Sequence, residues 1–280
     1  MNSIDNHLAA KTLVITGAAG GFGSLLCRDA LARGARVAAL DVNTTALDTL
    51  AADLDAGDSL ITIITDVTDL AAMSAAVAQT IETFGSVDVM VNNAGTMPLA
   101  FLADHADAAT AWSRCIDINI KGTLNGMIAV HDQMQSQGRG HIVNLSSIYG
   151  NGPVAGAAVY GATKAAVNTM SEAFRVEAQG TIKVTIVKPT GVPGTGLGSG
   201  VINPAAVVGI LGQNMAEYGA VFAALGEGRI DEVDLDPESV GYAVLDPQHV
   251  VDQILHAIDQ PWGVSVGDIT IRATGDRYIL

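Results

Sequence analysis

Tyr160 and Lys164 stand four residues apart, the spacing that places two side chains on one face of a helix. A phenol with a pKa of about 10 is a poor base at neutral pH, but a neighbouring ammonium favours the phenolate and lowers that pKa. The pair therefore indicates a phenol that can act as a general acid or base. A tyrosine and a lysine at this spacing often occur by chance, so the interpretation depends on further residues.

Ser147 and Asn119 add two polar groups that such a reaction needs. Ser147 follows the fifth predicted strand, and its hydroxyl can hold a substrate oxygen while the neighbouring carbon reacts. Asn119 is polar within an otherwise apolar helical pattern, where its amide can bond a backbone carbonyl and water on a proton path to Lys164. The alternative for Asn119 is a core amide whose hydrogen bonds are satisfied within the protein.

A glycine-rich turn, TGAAGGFG at 16–23, lies between the first predicted strand and the first predicted helix. Gly17, Gly21 and Gly23 let the backbone turn tightly and let a pyrophosphate approach closely. The N–H groups at the start of the helix, Phe22 among them, favour an anion. An ordinary strand–helix turn is the alternative, but the position within a βαβ unit favours dinucleotide binding.

Asp41 indicates which dinucleotide is bound. It ends the second predicted strand, where a carboxylate can accept hydrogen bonds from both hydroxyls of the adenosine ribose. The same carboxylate would repel a 2′-phosphate, and no lysine or arginine stands beside it at 18, 19, 42 or 43. A helix-capping role is less favoured because Thr44 and Thr45 can cap. We therefore expect NAD rather than NADP.

The other candidate cofactor contacts follow predicted strands three and four, at the carboxyl edge where open α/β sheets bind ligands. An aspartate there can bond the adenine amino group, and small residues leave room for the cofactor. These candidates are Asp66, Val67, Asn93, Ala94 and Gly95. Each of them could also be ordinary turn chemistry.

Apolar, β-rich runs alternate with helical patterns over most of the 280 residues. Strands are predicted at 13–16, 36–40, 60–65, 87–91, 141–145, 182–187 and 268–271, and helices at 22–33, 45–54, 70–84, 108–137, 158–178, 205–225 and 247–258. This alternation predicts an α/β fold: a Rossmann-type, doubly wound parallel sheet of about seven strands with helices on both faces. We expect one domain, 1–280, with the Gly- and Pro-rich segment 190–246 as a substrate lid near the C-terminus.

Composition restricts the possible partners. A net charge of −15 without a basic cluster argues against nucleic acid. The longest apolar stretches have about nine residues against the roughly 20 of a membrane helix, and no signal peptide is visible, so a cytoplasmic protein is expected. Cys27 and Cys115 lie in helical patterns and are expected in the core. The histidines show no ligand spacing, so no metal site is predicted.

Together, the TGxxxGxG and YxxxK motifs resemble those of the short-chain dehydrogenase/reductase family over about residues 10–190 and the last helix and strand. The resemblance implies that Tyr160 is the general acid/base and that Lys164 binds the nicotinamide ribose and lowers the tyrosine pKa. It implies that Ser147 polarises the substrate and that Asn119 relays protons. The family commonly forms dimers or tetramers through helices equivalent to 108–137 and 158–178, so a homo-oligomer, most simply a tetramer, is expected.

The chain departs from the family pattern after the sixth predicted strand. Where relatives usually show Pro-Gly followed by a threonine, Pro189 is followed by TGVPGT, with the glycine and threonine each displaced by one position. Pro189, Val192 and Thr195 are therefore the candidate nicotinamide contacts.

The substrate pocket is expected between the Ser147 strand end and the lid. Candidate contacts are Ser147, Tyr149, Val154, Met215 and Tyr218. They are mostly apolar, and no arginine or lysine occurs between 192 and 228 to pair with an anion. We expect a neutral, fairly apolar secondary alcohol or ketone.

Three other functions are consistent with parts of the sequence. The runs VYGATKA and GDITIR resemble dehydrogenases of hydroxy acids such as serine, although those relatives generally prefer NADP. A protein that senses NAD(H) without turnover would share the glycine turn, but such proteins tend to lose the catalytic residues. An epimerase or dehydratase of the extended branch usually has a different glycine spacing and a larger C-terminal domain.

Overall fold

The computed structural model describes residues 6–280, and seven strands form one parallel sheet in the order β3-β2-β1-β4-β5-β6-β7. The strands are β1 (Thr12–Thr16), β2 (Arg36–Asp41), β3 (Leu60–Ile64), β4 (Val89–Asn92), β5 (Gly140–Leu145), β6 (Ile182–Pro189) and β7 (Asp268–Ile271). The predicted doubly wound sheet is confirmed. Each strand lies within two residues of its predicted bounds, because continuous apolar runs bounded by turn residues identify strands buried on both faces.

Helices cover both faces of the sheet. They are α1 (Gly21–Ala32), α2 (Thr44–Leu54), α3 (Leu70–Phe84), α4 (His105–Ile116), α5 (Thr123–Gln137), α6 (Ala158–Glu177), α7 (Val208–Leu211), α8 (Met215–Gly226), α9 (Glu232–Leu235) and α10 (Pro247–Ile258). Successive residues of β1 point to opposite faces: Leu13 and Ile15 pack in a cluster with α1 and α10, while Val14 packs with α3 and α5. The site therefore stands on strands that are fixed from two sides.

The predicted helix 108–137 is interrupted by a wider turn. α4 passes through a π-helical turn, Asp117–Gly122, before α5 begins. Gly122 lies against Val67, where a Cβ would come within 2.7 Å of Cγ2 of that valine. The expected stop signal at Gly138 is confirmed, because this residue ends α5 with φ +68°.

The single helix predicted at 205–225 is wrong. The chain forms a 3-10 turn at Pro204–Val207, then α7, a second 3-10 turn at Gly212–Asn214, and α8. Gly212 has φ +54°, a conformation that a helix cannot contain, and Ile279 packs against it. The apolar pattern is helical on both sides of this glycine, which is why the sequence suggests one helix.

Two expectations from the sequence concern the surroundings of the two cysteines and the absence of a membrane-spanning helix. Cys27 and Cys115 are buried free thiols, in α1 and α4, as predicted. Within residues 6–280, no helix combines the length and the apolar character that crossing a bilayer requires.

We predict that Gly126→Ala destabilises the fold by about 1–3 kcal/mol, because a Cβ at this position of α5 would overlap Asn92 Oδ1 and lie 2.7 Å from Met90 Cε. Gly219→Ala in α8 is the matched control: no atom lies within 4 Å of its Cβ position, and alanine favours the helix by about 0.5–1 kcal/mol. Urea unfolding of both variants gives the comparison. A Gly126→Ala protein as stable as the wild type would contradict this packing.

Candidate active site

Two adjoining cavities open at the carboxyl edge of the sheet, next to the junction of β1 and β4 where the strand order reverses. The larger, of about 740 Å³, lies between the glycine turn, the ends of β4, β5 and β6, the lid, and residues 272–280, which we call the C-terminal tail. The second, of about 560 Å³, extends along the residues after β3 to α4. They share Gly17, Asp41, Ala94 and Gly95, so together they form one elongated groove.

One side of the glycine turn packs against neighbouring backbone atoms, and the other side has no neighbouring atoms among the described residues. Gly17, with φ +61°, packs so closely that a Cβ would lie 2.9 Å from Ala94 Cα. A Cβ on Gly23 would overlap Gly17 O, so this glycine lies inside the turn and, unlike Gly17 and Gly21, does not line a cavity. Gly20 has no atom within 4 Å of its Cβ position. The open side therefore faces the larger cavity, beside the N-terminus of α1.

The ends of β1 and β4 are joined by side-chain hydrogen bonds. Thr16 Oγ1 accepts from the backbone N–H groups of Asn93 and Ala94, each at 3.1 Å. Asn93 Nδ2 donates to Thr16 O at 2.9 Å and to Gly17 O at 3.0 Å. Asn93 is thus a structural link as well as a lining residue of the groove.

Asp41 is fixed in the groove by two backbone groups. Its Oδ2 accepts from Ala19 N at 3.1 Å and its Oδ1 from Asn43 N at 3.0 Å. The cap of α2 is Asn43, whose side chain accepts from Ala46 N, so Asp41 does not cap this helix. Each carboxylate oxygen keeps a lone pair for a further donor.

The second cavity is lined by Asp66 and Val67, as well as by residues of α4 that sequence reasoning missed. Asp66 Oδ1 accepts from Thr68 N and Oγ1 at 2.9 and 2.8 Å, which holds one carboxylate oxygen in a turn. Val67 O accepts from Asn125 Nδ2 at 2.8 Å. The missed lining residues include Thr110, Ser113 and Arg114 of α4, and Asp117 and Ile118 of the π-helical turn. The wider turn makes the facing of this segment difficult to read from a regular helical period.

Tyr160 and Lys164 are both buried on α6 and line the larger cavity. Lys164 Nζ donates to Leu145 O at 2.8 Å and lies 5.8 Å from the centre of the Tyr160 ring. Burial lowers the pKa of Lys164 to about 8. Burial raises the pKa of Tyr160 above its ordinary value, while Ser147 acts in the opposite direction. Burial therefore sets the direction of this pKa, which is upward and not the lowering that was expected from Lys164.

Ser147 and its neighbour Ser146 have different surroundings. Ser146 Oγ donates to Lys164 O at 3.2 Å and so faces the backbone of α6. Ser147 Oγ accepts from Tyr149 N at 3.3 Å, and Ser147 lines the larger cavity and acts to lower the pKa of the Tyr160 phenol. Of the two serines, Ser147 has the hydroxyl that can share a substrate oxygen with Tyr160.

Asn119 does not line either cavity, because its side chain is buried behind the backbone of Gly95. Its Oδ1 accepts from Thr96 N at 3.0 Å, and its Nδ2 donates to Thr96 O and to Thr163 Oγ1, both at 3.0 Å. Thr163 in turn donates to Tyr160 O at 2.7 Å. Asn119 thus connects the loop after β4 with the helix that carries Tyr160.

The candidate substrate and nicotinamide contacts divide into two groups. Lining the larger cavity are Ser147, Tyr149, Tyr218, Pro189, Val192 and Thr195. Val154 and Met215 do not line it; they pack with Leu99, Ile210 and Leu211, which do line it. Thr195 Oγ1 donates to Val192 O at 3.1 Å, so this hydroxyl is already engaged.

Sequence reasoning missed Thr190 and Tyr278. Among residues 6–280, Thr190 Oγ1 is buried without a hydrogen-bond partner, and this residue lines the cavity where a nicotinamide contact was expected two positions later. Only the Pro189 signal pointed to this segment. Tyr278 belongs to the C-terminal tail, and nothing in the local sequence shows that the tail returns to the cavity.

The model of the family described as short chain dehydrogenase matches residues 11–202. The chain belongs to this family. Among the relatives of this short-chain dehydrogenase, an uncharacterised oxidoreductase of Staphylococcus haemolyticus is 29% identical, with 95% of this chain and 98% of the relative covered.

Two solved structures are similar over almost the whole chain. The closed form of serine dehydrogenase complexed with NADP⁺ is 27% identical with a TM-score of 0.75, covering 96% of this chain and 97% of that one. An alcohol dehydrogenase of Thermococcus sibiricus, complexed with 5-hydroxy-NADP, superposes with a TM-score of 0.74 at 20% identity, covering 95% and 98%. The second likeness concerns the fold alone.

We predict that Lys164→Met changes the pH dependence of stability. The folded state holds this amine at a pKa of about 8 against 10.5 for an ordinary lysine, so its burial destabilises the protein below pH 8 and ceases to do so as the pH rises to 10.5. The free energy of unfolding of the variant relative to the wild type should therefore fall by up to about 3 kcal/mol across this interval. Urea unfolding at a series of pH values measures it.

Lys121→Met, which removes an exposed lysine, is the control for loss of one amine. A difference between Lys164→Met and the wild type that does not change with pH would show that the Lys164 ammonium is not destabilised by its surroundings.

Proposed function

We propose that this short-chain dehydrogenase transfers a hydride between NAD(H) and a neutral, fairly apolar secondary alcohol or ketone. The observation that carries the proposal is that Ser147, Tyr160 and Lys164 line the same cavity as the glycine turn and Asp41. A proton-transfer group and a dinucleotide cradle are thus parts of one site.

The groove suits a nicotinamide dinucleotide. Gly17 and Gly21 leave no room for a side chain, Gly20 is open, and Thr190 offers a buried hydroxyl that has no partner among the described residues. We infer that the turn and the start of α1 hold the pyrophosphate, Asp41 the adenosine ribose, and Thr190 the carboxamide. When bound, the cofactor supplies the hydride donor or acceptor, and its oxidised ring adds a positive charge to the site.

The protein's own residues handle the proton and the substrate oxygen. Ser147 donates a hydrogen bond to that oxygen, and Tyr160 removes the hydroxyl proton in oxidation or returns it in reduction. Lys164 holds a positive charge close to the phenol, in a site where burial otherwise disfavours the phenolate. The lid closes the site from water: Ile202 N and Asn203 N both donate to Leu99 O at 3.0 Å, which joins the lid to the loop after β4.

The preference for NAD rests on Asp41. Its carboxylate is held at the ribose end of the groove by Ala19 N and Asn43 N, so it could not easily turn away from a 2′-phosphate. The solved serine dehydrogenase was complexed with NADP⁺, and cofactor preference is therefore the point at which this chain is proposed to differ from that protein.

A hydroxy-acid dehydrogenase is the second candidate, favoured by the likeness to serine dehydrogenase. Among the described residues that line the larger cavity, however, Lys164 is the one cation, and it is already bonded to Leu145 O. A carboxylate substrate would lack the charged partner that such groups usually have in a buried site.

We also propose a homo-oligomer, with the helix pair α4–α5 in the interface. Ile116, Leu124 and Ile128 are 40–48% exposed and lie along the same side of this helix pair. A contiguous apolar stripe on a surface helix is typical of a subunit contact.

We predict that Tyr160→Phe lowers kcat by about 100-fold or more, because the phenol is the proton-transfer group. The affinity for NADH, measured by fluorescence titration, should change little, because the ring remains in place. Reduction of a panel of methyl ketones with NADH gives the rates. Retained turnover would disprove the assignment of Tyr160, whereas a wild-type protein that binds NADH and turns over neither ketones nor alcohols would favour a sensing function.

We further predict that the wild type binds NADH at least about tenfold more tightly than NADPH, and that Asp41→Asn reduces this preference by about tenfold. The variant removes the charge that opposes a 2′-phosphate. Asp66→Asn is the control, because Asp66 lines the second cavity outside the proposed ribose contact and should affect both cofactors equally. Tighter NADPH binding by the wild type would overturn the proposed cofactor preference.

A further inference from the structure

Four of the five tyrosines of this chain, Tyr149, Tyr160, Tyr218 and Tyr278, line the larger cavity. Tyr149 and Tyr160 come from the sheet side, and their rings meet edge to face with centres 5.4 Å apart. Tyr218 belongs to α8 of the lid, and Tyr278 to the C-terminal tail. The rings of this second pair also meet edge to face, at 5.8 Å. One pair thus includes the proposed acid/base, and the other pair has no role in the proton transfer.

The tail holds Tyr278 in a defined position. Arg272 donates to Asp276 Oδ1 at 2.7 Å and to Tyr278 O at 2.9 Å, which folds the tail into a loop. Ile279 N donates to Ile210 O at 3.0 Å, and Asn214 Nδ2 donates to Arg277 O at 2.9 Å. These bonds join the tail to the lid on both sides of Tyr278.

The Tyr278 hydroxyl lies against the backbone of Gly191, where any Cβ would overlap it. Within residues 6–280, the one hydrogen bond of this hydroxyl is a long one, 3.5 Å, to the hydroxyl of Tyr218. Tyr278 donates its one proton in this bond, so the Tyr218 hydroxyl keeps its own proton to donate to a ligand. Because the bond is long, a ligand oxygen can replace Tyr218 as the acceptor of the Tyr278 proton.

Tyr278 lies on the substrate side of the groove. It packs in the hydrophobic cluster that contains Tyr149, Tyr160 and Ile210, and this cluster includes no residue of the glycine turn. Phe22 and Val192, which are candidate cofactor contacts, pack in a different cluster with α1 and α10. The Tyr278 hydroxyl also touches Gly191, between the candidate nicotinamide contacts Thr190 and Val192, so the two phenols border the nicotinamide end of the cavity from the side that packs with Tyr149 and Tyr160.

We propose that Tyr278 and Tyr218 form a substrate subsite that hydrogen-bonds a second, uncharged oxygen of the substrate, away from the reacting carbon. This inference rests on the proposed function and narrows its substrate class to bifunctional compounds, such as keto esters and hydroxy ketones. An uncharged group is favoured because both phenols are neutral donors and because Lys164 is the one cation among the described lining residues. Arg277, the next cation along the tail, is paired with Glu217 at 2.9 Å.

The test compares Tyr278→Phe with the wild type on ethyl 3-oxobutanoate, on 2-pentanone, which lacks the second oxygen function, and on the 3-oxobutanoate anion. The variant removes one hydroxyl and keeps the ring, so the packing of the tail is preserved. For the ester, KM should rise about three- to tenfold with little change in kcat, the range that one neutral hydrogen bond contributes. For 2-pentanone, neither constant should change. For the ester, Tyr218→Phe should raise KM by a similar factor.

Calorimetric titration of the protein–NAD⁺ complex, which cannot reduce a ketone, with the same three compounds gives an answer that does not require turnover. The wild type should bind the ester more tightly than either 2-pentanone or the anion, and Tyr278→Phe should lose the advantage over 2-pentanone. Equal effects of the variant on ester and ketone, no effect on either, or a weakened affinity for NADH would overturn the subsite. Ester and ketone binding that differ as expected, without turnover of either, would refute the proposed reaction and leave the subsite supported.

Discussion

Four hydrogen bonds between the ends of β1 and β4 hold the junction on which the rest of the site depends. Thr16 accepts two backbone N–H groups through its side chain, and Asn93 returns two bonds to the backbone of Thr16 and Gly17. These strands are neighbours in space but belong to opposite halves of the sheet. Because Gly17 and Ala94 are in contact, backbone atoms form the bottom of the groove at this junction. The depth of the groove is therefore determined by the junction of β1 and β4 and not by the lid.

Burial determines the electrostatics of the catalytic end. Burial favours Tyr160 as a neutral phenol and brings the pKa of Lys164 down to about 8, so this lysine is still mostly protonated at neutral pH and is the one cation among the described residues that line the larger cavity. Proton transfer near neutral pH then depends on whatever positive charge is brought close to the phenol. Lys164 is one source and an oxidised nicotinamide would be the other, which couples the acidity of Tyr160 to the redox state of the bound dinucleotide.

Much of this architecture could be predicted from local sequence. Gly17, Asp41 and Tyr160 follow strands or begin helices, so their neighbours along the chain determine which way they face. The segment of the lid could be predicted in this way, but its internal structure and the position of the tail could not. Gly212 divides an apolar pattern that looks like one helix, and Met215 and Val154 are apolar residues that pack in a hydrophobic cluster and do not line the cavity. Tyr278 reaches the cavity through contacts with Ile210 and Asn214, more than 60 residues earlier, which no local pattern records.

The π-helical turn at Asp117–Gly122 has the geometry of a one-residue insertion in an otherwise regular helix. The wider turn takes up the additional residue, so α4 and α5 keep the faces that a regular helix one residue shorter would present. Asn125 thereby reaches Val67 O, and Gly126 packs against β4. Deleting one residue from this turn should leave both faces in place, whereas a deletion in the regular part of either helix would rotate everything after it by roughly 100°. Alignments should therefore place a one-residue difference in length at this turn and not within α4 or α5.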